Sequence, residues 1–132
     1  MKTVLPDTNV IIDFLDGDRT FGKELSTAER ILATPAVVAE FLSGIYATKR
    51  DRAKQEAFDA FLDNAAVEFL PHDRETATYY ASIYRHLKSQ GTLIPLGDIW
   101  IAASAMQHGA TILTKDNHFA AIPVLPMVIW HK

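Results

Sequence analysis

The chain of 132 residues contains no cysteine, which excludes disulfides, a thiolate metal site and a thiol nucleophile, and which fits a reducing cytoplasm. Long apolar runs are missing as well: no stretch approaches the roughly 18 consecutive apolar residues of a membrane span. The opening MKTVLPDTNV has the pattern of neither a secretory signal nor a transit peptide. An excess of basic residues is also lacking. Thirteen Lys and Arg stand against sixteen Asp and Glu, a formal charge of −3, and this balance argues against a general polyanion binder. Glycine and proline, six of each, show no period. With 48% hydrophobic and 10% aromatic residues, the chain is neither fibrous nor disordered, and its length suits one soluble domain.

What is present alternates short apolar runs with longer amphipathic ones. Thr3 to Pro6 reads as a strand, and Asn9 to Leu15 as a helix opened by Asp7-Thr8-Asn9. Ile31 to Ala33 makes a short strand that runs into Thr34-Pro35, an N-cap followed by proline at the first helical position. Val37, Val38, Phe41, Leu42, Ile45 and Tyr46 then recur at helical spacing, and a second helical stretch covers 51–64. Val67 to Leu70 is a strand. Asp73 caps a helix reaching Gln90, with an apolar face of Ala77, Tyr80, Ala81, Tyr84 and Leu87, and Gly91 stops it. The stretch Asp98 to His108 is apolar nearly all round, as in a buried central helix. Thr111 to Leu113 is a strand, and Val124 to Trp130 offers one or two more. Strands separated by helices, without hairpin signals, predict an α/β fold with a mostly parallel central sheet covered on both faces.

In such folds ligands gather at the carboxyl ends of the strands, and four carboxylates fall at such places: Asp7, Glu40, Asp98 and Asp116. Each has an ordinary structural alternative. Asp7 and Asp98 suit N-caps, and Asp116 suits a turn. Glu40 differs, because its neighbours one turn away are Ala36, Ser43 and Gly44, a stripe of small residues like the wall of a cleft. If the four converge, like charges about 4 Å apart repel by about 4 kcal/mol at an effective dielectric near 20, so a proton or a cation must lie among them. An all-oxygen set without a His pair favours Mg²⁺ or Mn²⁺ over zinc. Metal-assisted hydrolysis of a phosphodiester is the chemistry that such a set supports.

At these residues the chain resembles a known family. Asp7-Thr8-Asn9-Val10, Val38-Ala39-Glu40-Phe41 with Gly44, Gly97-Asp98 leading into Ile101-Ala102-Ala103, and Leu113-Thr114-Lys115-Asp116 with His118-Phe119 together resemble the PIN-domain nucleases, in particular the VapC-type toxins of toxin-antitoxin pairs. The resemblance implies a single PIN-like α/β/α domain and Mg²⁺- or Mn²⁺-dependent endoribonuclease activity on structured RNA such as tRNA or rRNA. It also implies homodimerisation and a small cognate antitoxin. Carried over by position, Asp7 and Asp98 are the principal metal ligands, and Glu40 and Asp116 complete the acidic set. Asn9, Thr8 and Thr114 are supporting polar residues. Trp100 stands where a smaller aliphatic residue is the family's habit.

Lys49, Arg50, Arg52 and Lys54 form the one basic cluster, read either as RNA-phosphate contacts or as a solvated loop and helix start. His118 is expected in turn or surface packing, and Lys115 exposed. Tyr80 and Tyr84 are expected in the core or a dimer surface, and the apolar faces around Phe41 and Phe58 offer a groove for a partner helix. Three other functions compete with the nuclease. An aspartate-based phosphatase wants a second acid where the chain has Asn9, and a receiver domain wants adjacent acids before its first helix. The third, a degenerate protein- or RNA-binding module, gives no reason to keep four unpaired acids.

Overall fold

The computed structural model describes residues 2–47, 52–123, 125 and 127–129. Five strands form one sheet in the order β3-β2-β1-β4-β5, with β1 Thr3–Pro6, β2 Arg30–Ala33, β3 Val67–Phe69, β4 Thr111–Thr114 and β5 Met127–Ile129. Every neighbouring pair is parallel. The helices are α1 Thr8–Leu15, α2 Gly22–Thr27, α3 Pro35–Ala47, α4 Arg52–Leu62, α5 Arg74–Gln90 and α6 Leu96–His108, followed by a 3-10 helix, Asn117–Ala121. None of the described helices is long and apolar enough to cross a membrane.

Alternation along the strands builds two cores. Leu5 pairs with Ile112 and, with Leu32, faces a core shared with α3, α5 and α6. Val4, Ile31 and Leu113 face the opposite side, where Val10, Phe21 and Leu25 cover them. Each fully buried Leu or Ile is worth about 1.5–3 kcal/mol, so a one-residue slip of β1 would forfeit both faces at once. The reading of α6 as a buried central helix holds: Ile99 and Ile101 to Ala105 are all buried, the polar Ser104 among them.

Local chemistry corrects several expectations. Residues Gly22–Thr27 form a helix that the apolar pattern does not announce. Asp98 does not cap α6; Pro95 occupies the cap position, so the helix starts two residues earlier and Asp98 lies inside its first turn. The buried face of α5 runs through Thr76, Ile83 and Leu87, while Ala77 and Ala81 are exposed. Asp73 does cap α5, in a reciprocal capping box with Thr76. Thr34 precedes Pro35 as expected, yet its buried hydroxyl has no partner among the described residues. Trp100 is accommodated at the side of α6, where its ring stacks on His72 and meets Tyr80 at a tilt. Of the 124–130 segment, Val124, Pro126 and Trp130 lie outside the described residues.

Strand order places the reversal point between β1 and β4. From β1 the chain winds outward to β3 and then crosses back to β4 on the other side of β1. The carboxyl ends of these two neighbours flank the crevice that this topology provides for a ligand.

Candidate active site

Asp7 occupies that crevice because β1 runs one residue past its ladder. Its backbone N–H donates to the Leu113 carbonyl at 2.8 Å, which holds the residue against the end of β4. Its side chain caps α1: Oδ1 accepts from the Thr8 N–H at 2.8 Å, and Oδ2 accepts from the Thr114 hydroxyl at 3.1 Å. Both neighbours are fully or nearly buried, and Asp7 itself is 4% exposed. Burial pushes its pKa up to about 6, with the charges of Glu40 and Asp98 adding to the rise and the Thr8 N–H opposing it.

Thr114 links Asp7 to the next acid. While its hydroxyl donates to Asp7, its oxygen accepts from the Asp116 N–H at 3.0 Å. Asp116 then caps the 3-10 helix, accepting from the His118 N–H at 2.9 Å. That turn folds the His118 ring back over the site. Its Nδ1 lies 2.9 Å from Asp98 Oδ2 and 3.0 Å from Asp116 Oδ2. The hydrogen bond to Asp98, with the charge of Asp116 nearby, holds His118 above the ordinary imidazole value. Burial raises the pKa of Asp98, and His118 opposes that rise. One ligand atom each from Asp98, Asp116 and His118 lies within 4.8 Å of the others.

The structure therefore gathers Asp7, Asp98, Asp116 and Thr114. Glu40 lies across from them, exposed on α3, with its Oε2 4.0 Å from the point where a Cβ on Gly97 would stand. Thr8 turns its hydroxyl to the Val37 carbonyl at 3.5 Å, and Asn9 is exposed. Lys49 and Arg50 lie outside the described residues, while Arg52 and Lys54 stand on α4 and line two different shallow depressions. Tyr80 and Tyr84 are half-buried and stacked on one another.

Two residues depart from their sequence expectation. His118 is not a packing residue of a turn but a nitrogen wedged between two site carboxylates. An Asp-x-His spacing directly after a strand was the available signal. Lys115 is not an exposed lysine: its ammonium is held by Asp13 at 2.7 Å and Asp18 at 2.6 Å. Here the signal lay in the loop between α1 and α2, whose fold the apolar pattern does not reveal.

A buried carboxylate with a raised pKa, two further acids and an imidazole around one crevice suit a divalent cation, since no lysine or arginine among the described residues enters the set. The chain is similar to known proteins over nearly its whole length. Over 97% of its length the chain is 30% identical to Toxin FitB of Neisseria gonorrhoeae, covering 99% of that protein. It is 31% identical to Ribonuclease VapC1 of Methanocaldococcus jannaschii, over 98% of this chain and 88% of that one. Among solved structures, FitAcB from Neisseria gonorrhoeae superposes with a TM-score of 0.74 at 29% identity, covering 98% of this chain and 99% of that one. VapBC2 from Rickettsia felis, solved bound to a DNA fragment from its promoter, gives 0.83 at 23% identity over 97% and 98% of the two chains, a likeness of fold. The PIN domain model matches residues 4–125, and the chain belongs to the PIN-domain family.

Proposed function

We propose that this chain is a metal-dependent endoribonuclease, the toxin of a toxin-antitoxin pair. In this reading it hydrolyses phosphodiester bonds of structured RNA such as tRNA or rRNA in the cytoplasm, as a homodimer that a small antitoxin restrains. The ribonuclease activity follows from relatives named as VapC ribonucleases, and the antitoxin from the VapBC and FitAB complexes among the structural neighbours. The observation that carries the reading is the convergence of Asp7, Asp98 and Asp116 where β1 and β4 end.

Asp7 and Asp98 would hold a Mg²⁺ or Mn²⁺ ion, with Asp116 and Glu40 acting directly or through water. When bound, such an ion polarises the phosphoryl group, lowers the pKa of a water and steadies the leaving oxygen. The chain's own contribution is positional. Thr114 fixes one oxygen of Asp7 and the Thr8 N–H fixes the other, so the carboxylate cannot swing away. Asp98 sits in the first turn of α6, where the helix dipole favours a carboxylate.

Cleavage of total tRNA, assayed with Mg²⁺ or Mn²⁺ and with chelator, tests the proposal against Asp7→Asn. Chelator should abolish cutting, and the substitution should lower it at least about a hundredfold, because losing a group that only supports a ligand already costs 10–100-fold. Undiminished cutting in both arms would overturn the metal-site assignment.

A further inference from the structure

The oxygen-only ligand set expected from the sequence omits the atom that the structure puts closest to two of its members. His118 Nδ1 lies 2.9 Å from Asp98 Oδ2, to which it is hydrogen-bonded, and 3.0 Å from Asp116 Oδ2, so one ring nitrogen is close to both carboxylates. Adjacent ligands of an octahedral ion with bonds of about 2.1 Å stand about 3.0 Å apart, and the observed spacings have that edge length. All three atoms lie within 4.8 Å of one another. The ring is also pinned from its own backbone. Its N–H donates to the other oxygen of Asp116 at 2.9 Å, and Phe119 beside it is fully buried.

We propose that His118 is a metal ligand, and that its Nδ1, with Asp98 and Asp116, forms a mixed nitrogen–oxygen set selecting a first-row transition ion over Mg²⁺. The inference rests on the reading that these acids hold a divalent cation, and goes beyond it by naming the ligand and the selectivity. Imidazole is a poor partner for Mg²⁺, which prefers oxygen and keeps its waters, and a better one for softer divalent ions.

The test uses the full chain freed of metal, Mn²⁺ alone as the probe, and pulsed electron paramagnetic resonance. Wild type should show hyperfine coupling of bound Mn²⁺ to a ¹⁴N nucleus, and His118→Gln should lack it while keeping the wild-type unfolding midpoint without metal. Mg²⁺ should displace Mn²⁺ about tenfold more readily from His118→Gln than from wild type. Bound Mn²⁺ without nitrogen coupling, or coupling that survives in His118→Gln, would overturn the ligand assignment and leave the nuclease reading standing. Failure of wild type to bind Mn²⁺ would overturn both.

Discussion

Asp7 is held by two hydrogen bonds that favour its charged form, yet burial wins and its pKa rises to about 6 from 3.8. A tenfold change in proton affinity is worth about 1.4 kcal/mol, so the ionised carboxylate destabilises the metal-free fold by about 3 kcal/mol. The folded value lies above the unfolded one. The folded chain therefore holds this proton more tightly, and the stability it contributes is complete below pH 3.8 and lost as pH rises through about 6. Asp7→Asn keeps an acceptor for Thr8 and removes the charge. In chelator at pH 7.5 it should unfold at a higher temperature than wild type, with the gain fading below about pH 4. Added divalent cation should stabilise wild type and leave the variant nearly unmoved. A variant less stable than wild type at pH 7.5 would show that the charge is already compensated. At this scale the acids were legible because strand ends and helix starts can be located by pattern. His118 was not, because its role depends on how a two-residue turn aims a ring, and Glu40 stood out only through the small residues one turn away.

Among the elements, the tie between α1 and β4 bears on the site from behind. Lys115 stands between Thr114 and Asp116, and its ammonium reaches Asp13 on α1 and Asp18 just beyond it. The Asp18 carboxylate also accepts from the Thr20 N–H and hydroxyl, in a turn that Gly17 enters at φ +102°. The Lys115 hydrogen bond, reinforced by those of Thr20, holds Asp18 well below the usual carboxylate range. One helix thus carries Asp7 at its start and, at its end, the anchor for the strand that presents Asp116. Lys115→Met should leave two facing carboxylates and let the end of β4 drift, lowering kcat roughly tenfold with KM little changed. Lys115→Arg should restore most of the rate, because it can pair with both acids; equal losses in both variants would mean that the charge pairing is irrelevant. This arrangement escaped the sequence because α2 has six residues, of which only Leu25 is buried, too few to show a period. The helices that were legible, α3 and α6, have many buried positions at helical spacing.

For the whole molecule, the −3 charge ceases to argue against nucleic acid, because Asp7, Glu40, Asp98 and Asp116 account for −4 and leave the rest of the chain at +1. With a divalent cation bound, the acidic crevice becomes the place that attracts phosphate. Among the described residues, Phe69, Leu93 and Leu96 expose large apolar side chains. Expressed alone, the chain should arrest growth of its host. Co-expression with its cognate antitoxin should relieve the arrest, and the two should elute together in size-exclusion chromatography with light scattering. Growth unaffected by the chain alone would remove the toxin role without touching the nuclease assignment. The fold class could be read from alternating strands and helices, whereas strand order could not, since nothing local says on which side of β1 the fourth strand will pair.

That order has a consequence for how such an enzyme is made. Asp7 and the Thr114 that orients it are 107 positions apart, yet they meet on adjacent strands. A ribosome delivers β1, α1 and the three-strand half of the sheet well before α6 with Asp98, and β4 with the adjoining Asp116 follows later still. No nascent fragment ending before β4 holds Thr114 or Asp116, so the acids gathered at this crevice are brought together only once most of the chain has been made.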